Sequence, residues 1–151
     1  MLGTYVITFG GIGGIFWLCH SLVAILLLET VNYIEHYGLC RQRTATGRYE
    51  RCRPEHSWNA NHRMSNLVLY QLERHSDHHA HPTRRYQALR NFEDAPQLPS
   101  GYAGMLALAC VPPLWRKVMD HRVTEHYDGD LTRANIHPKH RERYLAATLS
   151  D

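Results

Sequence analysis

Residues 2–28 contain no Asp, Glu, Lys or Arg. As one α-helix that run would reach roughly 40 Å at ~1.5 Å per residue, more than the ~30 Å hydrocarbon core of a bilayer. A helix immersed in lipid satisfies every backbone polar group internally, which is why a long uncharged stretch reads as a spanning helix. A buried helix of a soluble protein is the alternative, and it loses on length and on the continuous apolarity of the run. A secretory signal does not fit either: the run is too long, no basic segment precedes it, and no small-residue cleavage site follows. Gly10 and Gly14 stand at GxxxG spacing, which lets a second membrane helix approach closely, although no second spanning segment follows in this sequence. Five glycines before residue 15 weaken a lone helix. His20, costly in lipid, is expected to face a partner or a cavity.

All formal charge lies from Glu29 onward, so an apolar N-terminal fifth is joined to a polar remainder. The 151 residues suit one modest domain. A net charge of +3 from 17 basic and 14 acidic residues is too mild and too interleaved to indicate nucleic-acid binding. Four cysteines, Cys19, Cys40, Cys52 and Cys110, form no CxxC pair; Cys19 and Cys110 read as small core residues.

The apolar helix is expected to continue to Tyr37 and to stop at Gly38. Glu29, Asn32, Tyr33 and His36 then share one face at i, i+3, i+4 and i+7, a polar face emerging where the span ends. Residues 39–53 read as a short β-hairpin turning at Gly47. Arg41, Arg43, Arg48, Arg51 and Arg53 follow the span directly, and the positive-inside rule places residues 39–151 in the cytoplasm. That patch is either ordinary solubilising charge or a docking surface for an acidic partner. A second helix, capped by Ser57, is predicted to run to Ala80 before Pro82, with Met64, Val68, Leu72, His75 and His79 in one buried stripe. Shorter helices are predicted over 83–90 and 114–120, and a packing segment over 105–111. Arg84 and Arg85 are placed to pair with Asp77, Thr132 to cap a final helix, and 145–151 to fray.

The chemistry concentrates in LERHSDHHAHPTRRYQ, residues 72–87, which holds four of the twelve histidines within seven positions. At about 100° per residue, His75, His78 and His79 project from one helix face, while Asp77 and His81 point near the opposite side. Converging neutral imidazoles suit iron, zinc or copper. The alternative is a solvated, His-rich helix end. His62 lies more than three turns from His75 and reads as a packing or hydrogen-bonding residue. His56, His81, His121, His126, His137 and His140 read as surface or capping histidines.

Residues 72–87 resemble the third histidine box of the membrane-bound alkane 1-monooxygenases, which usually carry Gln at the position of Glu73. NYIEHYG at 32–38 is similar to a separate signature of that family, as are GRYER at 47–51, RPEHSWN at 53–59 and PPLWRK at 112–117. The resemblance implies a mainly α fold: a transmembrane helix over 1–38, belonging to a larger bundle of about six such helices, and a cytoplasmic-side helical cap over 39–151 bearing the histidine box. It implies iron ligation by His36, His75, His78 and His79, with Glu35, Asp77 and Asn32 as groups that orient ligands or balance charge. It further implies two irons in the complete enzyme, n-alkane and O₂ as substrates, and rubredoxin with its reductase as electron donor. The setting is a bacterial inner membrane, multi-pass, with the histidine site on the cytoplasmic side.

The family's two earlier boxes, of the forms HExxHK and EHxxGHH, do not occur here. Four of roughly nine expected ligands are therefore assigned. The expectation is a C-terminal part of a longer enzyme, with Met1 an internal or artificial start, that does not hydroxylate alkanes as an isolated chain. Two alternatives stand beside it: a related membrane di-iron enzyme (xylene-type hydroxylase or desaturase), and a non-catalytic membrane-anchored protein whose histidines bind zinc.

Overall fold

The computed structural model describes residues 1–148. The chain is mainly helical and divides into two compact units, Met1–Asn32 and Tyr33–Asp151. The first unit is most of helix α1, Leu2–His36, which is long and apolar enough to cross a membrane by length and composition. Its large apolar side chains, among them Ile7, Ile12, Phe16 and Leu28, are exposed. α1 is not the single straight rod the apolar run predicts. Gly10 adopts φ 64°, ψ −155°, so the preceding turns fold back and the Tyr5 carbonyl crowds Gly13. The cluster of small residues is thus used within the first unit, by its own chain.

In the second unit, α1 ends at His36 and the chain turns through Gly38, with Leu39 N–H donating to the His36 carbonyl at 3.1 Å. Gly38 takes φ 72°, the left-handed conformation that closes many helices. The region read as a hairpin is not one. A single antiparallel bridge joins Arg43 and Tyr49, and the described residues contain no strand. The physical reason lies in the partners: Gln42 N–H donates to the Glu50 carboxylate at 2.8 Å, and the Gln42 side chain donates to the Arg133 carbonyl. One ladder donor is thus spent on a side chain, and among the described residues the only backbone bonds that cross between the two segments are Thr44 N–H to Arg48 O and Glu50 N–H to Gln42 O.

The helix predicted from Ser57 to Ala80 is also replaced. Pro54–His56 forms one 3₁₀ turn, and residues 57–60 then run extended and fully buried. Trp58 N–H donates to the Glu35 carbonyl at 2.8 Å, Asn59 N–H to Pro96 O at 2.8 Å, and Ala60 N–H to Glu73 O at 2.9 Å. With distant acceptors taken, no i→i−4 bonds form here, and Ser57 is extended instead of capping a helix. Two short helices follow, α2 (Arg63–Val68) and α3 (His75–Ala80), separated at Tyr70 and Gln71, which take φ 52° and 65°. The expected buried stripe is therefore broken, and Met64 and Val68 are exposed.

Past α3, only Tyr86–Ala88 of the predicted 83–90 helix forms, as a 3₁₀ turn. Helix α4 is Tyr102–Ala109, and α5 is Pro112–His126, longer than the stretch read from sequence. Pro112 and Pro113 open α5, where missing N–H groups cost nothing. Trp115, Met119 and Val123, at i, i+4 and i+8, form its buried face. They join Ile34, Trp58, Tyr102 and Met105 in the core of the second unit. Thr132 lies inside a 3₁₀ turn capped by Asp130 and does not cap the last helix, α6, which is Pro138–Thr148. Residues 149–151 of the expected fraying end lie outside the described residues. Cys19 and Cys110 are exposed, so neither is a core residue of its unit. His56 is buried and caps its own turn, its Nδ1 accepting from Arg53 N–H at 3.0 Å.

At Gly38 a Cβ would lie 2.5 Å from a Val123 methyl. Gly38→Ala is expected to destabilise the fold by about 2 kcal/mol or more, since a left-handed alanine alone costs roughly 1–2 kcal/mol. Chemical denaturation checks this, and adding Val123→Ala should recover the steric part of the loss but not the backbone part.

Candidate metal centre

Two elements carry the site. His36 is the last residue of α1, and that helix end is fastened by backbone and indole donors: Trp58 N–H to Glu35 O, and Trp58 Nε1 to Tyr37 O at 2.7 Å. His75 and His79 sit on α3, which at six residues is too short to hold itself together. Side chains from outside hold it. Ser76 Oγ donates to Asn59 Oδ1 at 3.0 Å, and Asn59 Nδ2 donates to Asn91 Oδ1 at 2.7 Å. Asp77, fully buried, accepts from Arg84, from Arg90 N–H at 2.8 Å and from His81 Nδ1 at 2.8 Å. Burial alone would raise the Asp77 pKa, but those donors outweigh it and hold the carboxyl below the usual range.

The result brings His36, His75 and His79 together, with one ligand nitrogen of each lying within 4.8 Å of the others. Nε2 of His36 and Nε2 of His79 are 3.1 Å apart. Two nitrogens on one metal at about 2.1 Å, roughly at right angles, would be about 3.0 Å apart, so the spacing fits a shared ion. His75 is buried, and among the described residues neither of its ring nitrogens has a hydrogen-bond partner. Its Nε2 does lie 3.2 Å from Glu35 Oε2, within ion-pair distance but outside hydrogen-bonding geometry. A buried imidazole with no partner is costly unless something ligates it, and an all-imidazole donor set suits iron, zinc or copper. Burial, followed by the neighbouring His79, His36 and His78, drives the His75 pKa down to about 2. The ring is therefore neutral, the form that ligates metal.

Of the four histidines picked from sequence, the structure groups three. His78 is exposed, with its ring 5.9 Å from that of His75 and 5.7 Å from that of His79. Asp77 works on the far side of α3, where its partners are Arg84, Arg90 and His81 and not the clustered His36, His75 and His79. Asn32 is exposed and belongs to the first unit. Glu35 is buried, and its Oε1 accepts from the Tyr102 hydroxyl at 2.6 Å. Burial, then the Glu35 charge, raises the Tyr102 pKa, so the hydroxyl keeps its proton. Tyr102, Asn59 and Ser76 are the functional neighbours that sequence reasoning misses. Asn59 ends the RPEHSWN motif at 53–59, a signal that could have found it, whereas nothing in the pattern around Tyr102 marks it.

Residues 1–109 match the family model for fatty acid desaturase, and the chain belongs to that family. It is 64% identical over 126 residues to alkane 1-monooxygenase of Acinetobacter baylyi, covering 83% of this chain and 31% of that protein. It is 58% identical over 124 residues to alkane 1-monooxygenase 2 of Pseudomonas aeruginosa, covering 82% of this chain and 33% of the relative. More distantly, it is 29% identical over 102 residues to the xylene/toluene monooxygenase hydroxylase component of Pseudomonas putida, covering 68% of this chain and 26% of that protein. The chain thus spans about a third of the length of the alkane monooxygenases it matches.

Burial of neutral His75 has a consequence for pH. Above its ordinary pKa of 6.5 the ring is neutral in both folded and unfolded states. Below that, the unfolded chain binds a proton that the folded site refuses, so stability falls as pH drops from 6.5 towards about 2. By pH 5 the expected loss in metal-stripped protein is about 2 kcal/mol from this residue. His79, shifted the same way, adds to it. Thermal melts of chelated parent and His75→Gln at pH 8, 6.5 and 5 measure the effect as a difference: on acidification the parent should lose more stability than the variant, since the other buried titratable groups of the site contribute to both.

Proposed function

We propose that this chain is part of a membrane-bound alkane 1-monooxygenase that hydroxylates the terminal carbon of n-alkanes with O₂. The observation that carries the reading is the convergence of His36, from the end of an apolar helix, with His75 and His79, in a chain 64% identical to an alkane 1-monooxygenase. A terminal C–H bond is strong and offers no proton for acid–base chemistry, so the catalytic power must come from bound iron, which activates O₂.

This chain's residues then have separable tasks. His36, His75 and His79 hold iron, and His78, at the rim of the trio, is a further ligand by family resemblance. Glu35 balances the metal's charge beside His75. Asp77 and Asn59 keep α3 in register so that its imidazoles meet His36. The remaining ligands of a two-iron site come from the part of the enzyme that corresponds to the rest of its relatives' length. α1 anchors the site in the bilayer, which is also where an alkane partitions. The arginines at 41, 43, 48, 51 and 53 are all exposed, and Arg41 and Arg43 stack on the Tyr49 ring at 5.6 and 5.2 Å. They form a basic surface suited to an acidic electron donor, for which rubredoxin is the family's choice. The positive-inside rule puts that surface and the histidines on the cytoplasmic side of the inner membrane.

A second reading is hydroxylation of an aromatic side chain, favoured by the xylene/toluene monooxygenase relative at 29% identity. The test uses the full-length protein in membranes with rubredoxin, its reductase and NADH, supplied with octane or with p-xylene. Iron content and 1-octanol formation are expected, and His75→Ala should lower alcohol formation at least 100-fold while reducing bound iron. Tightly bound zinc with no oxygen consumption would mean a structural site. Parental 1-octanol formation by His75→Ala would remove this residue from the ligand set.

A further inference from the structure

Glu35 stands apart from the other buried carboxylates of the second unit. Asp77 is met by Arg84, and Glu73 accepts two backbone N–H groups, from His62 at 2.8 Å and Tyr102 at 3.0 Å. Among the described residues, no Lys or Arg lies within ion-pair distance of Glu35; its one ion-pair neighbour is His75. Its two oxygens are divided, with Oε1 accepting from the Tyr102 hydroxyl at 2.6 Å and Oε2 lying 3.2 Å from His75 Nε2. A buried carboxylate with no cationic side chain is costly while ionised, so it either takes up a proton or is balanced by positive charge from another route. An ion held by the adjacent imidazoles is such a route.

Tyr102 is fully buried at the start of α4. Phenylalanine would fill almost the same space, so a hydroxyl buried there is costly unless it has a partner. That partner is Glu35. The same oxygen also lies 3.3 Å from the Leu72 carbonyl, three residues before His75. One hydroxyl therefore touches both the end of α1 and the segment leading into α3, the two elements that must meet for the trio to form.

We infer that Tyr102 is a positioning residue for the metal site: through Glu35 it sets where the carboxylate stands against the His75 ring, and so holds that ring in place. This rests on the reading that His36, His75 and His79 bind metal. A ligating imidazole usually has its other nitrogen oriented by a carboxylate or carbonyl, and loss of such a group typically costs about 10–100-fold in metal affinity. Tyr102→Phe removes the oxygen that steers Glu35 and keeps the packing. Glu35→Gln keeps an acceptor for Tyr102 and removes the charge.

The probe is Co(II), titrated into chelated full-length protein in detergent and followed by its visible d–d absorption, with near-ultraviolet circular dichroism recorded alongside. The expected result is that Tyr102→Phe and Glu35→Gln each weaken Co(II) binding about 10–100-fold and shift the d–d bands, with dichroism retained. The double variant should cost little more than the worse single, because the two residues act as one chain. A merely structural tyrosine would lower the melting temperature and leave the Co(II) affinity and bands unmoved, and that result overturns the inference. Fully additive losses in the double variant overturn it too. Should Tyr102→Phe not fold, Glu35→Gln decides: weakened binding with altered bands supports the chain, and parental binding refutes it. The underlying reading fails separately, if the parent protein takes up no Co(II) or if His75→Ala binds it as well as the parent.

Discussion

An extended segment sealed inside a protein cannot satisfy its own backbone, and residues 57–60 are sealed. Their polar groups must find partners on other segments, and those partners turn out to be the elements that carry the histidines. Trp58 binds the end of α1 through both its amide and its indole nitrogen. Asn59 exchanges backbone bonds with 96–98, and its side chain links Ser76 of α3 to Asn91. Ala60 binds the Glu73 carbonyl just before α3. Each bond contributes about 1 kcal/mol net, but each left unmade in this buried setting costs about 1–3 kcal/mol. The segment therefore acts as a common reference for His36, His75 and His79, which come from parts of the chain some forty residues apart.

Charge is managed by the same logic, and it separates scaffold from site. Asp77 and Glu73 are closed: guanidinium and amide donors meet the first, and two amides, one of them at the N-terminus of α4, meet the second. A Cβ at Gly101 would stand 2.8 Å from Ser65 Oγ and 3.0 Å from the Glu73 carboxylate, so a side chain there would press on both. Glu35 is open: among the described residues no cationic side chain neutralises it, and it faces an imidazole that is itself without a hydrogen bond. A buried carboxylate with one neutral hydrogen bond beside an imidazole with none would be a weak point in a purely structural core. Beside a three-imidazole cluster they have a common remedy in bound metal.

Much of the site was legible before the fold was. The i and i+4 spacing of His75 and His79 survives because α3 is helical over just those residues. The motif ending in His36 Tyr37 Gly38 placed His36 at a helix end, and Gly38 does terminate α1. Arg84 pairs with Asp77 as their charges and spacing suggested. Spacing could not tell that His78, on the same helical face as its neighbours, would remain exposed. A face about 100° wide holds three side chains, whereas the width of the contact it makes is set by the partner, here the single turn that ends α1. Tyr102 was invisible for a related reason: its role depends on one oxygen atom meeting a residue 67 positions away.

The failure over 57–74 has a different origin. Apolar spacing at 64, 68 and 72 obeys the helical period, and a helix does form over Arg63–Val68, but with Met64, Leu67 and Val68 outward and Asn66 buried, donating to Asn61 at 3.2 Å. Periodicity identifies a face without saying which side of it the protein occupies. Here the buried polar groups decide. Glu73 must reach the amides of His62 and Tyr102, and that requires the chain to reverse at Tyr70 and Gln71 in place of continuing as a helix. One buried carboxylate with two fixed donors outweighs the modest propensity gain of two more helical turns. The reversal also frees α3 from α2, so its direction is set by Asn59, Asp77 and their partners, and that direction is what turns His75 and His79 towards His36.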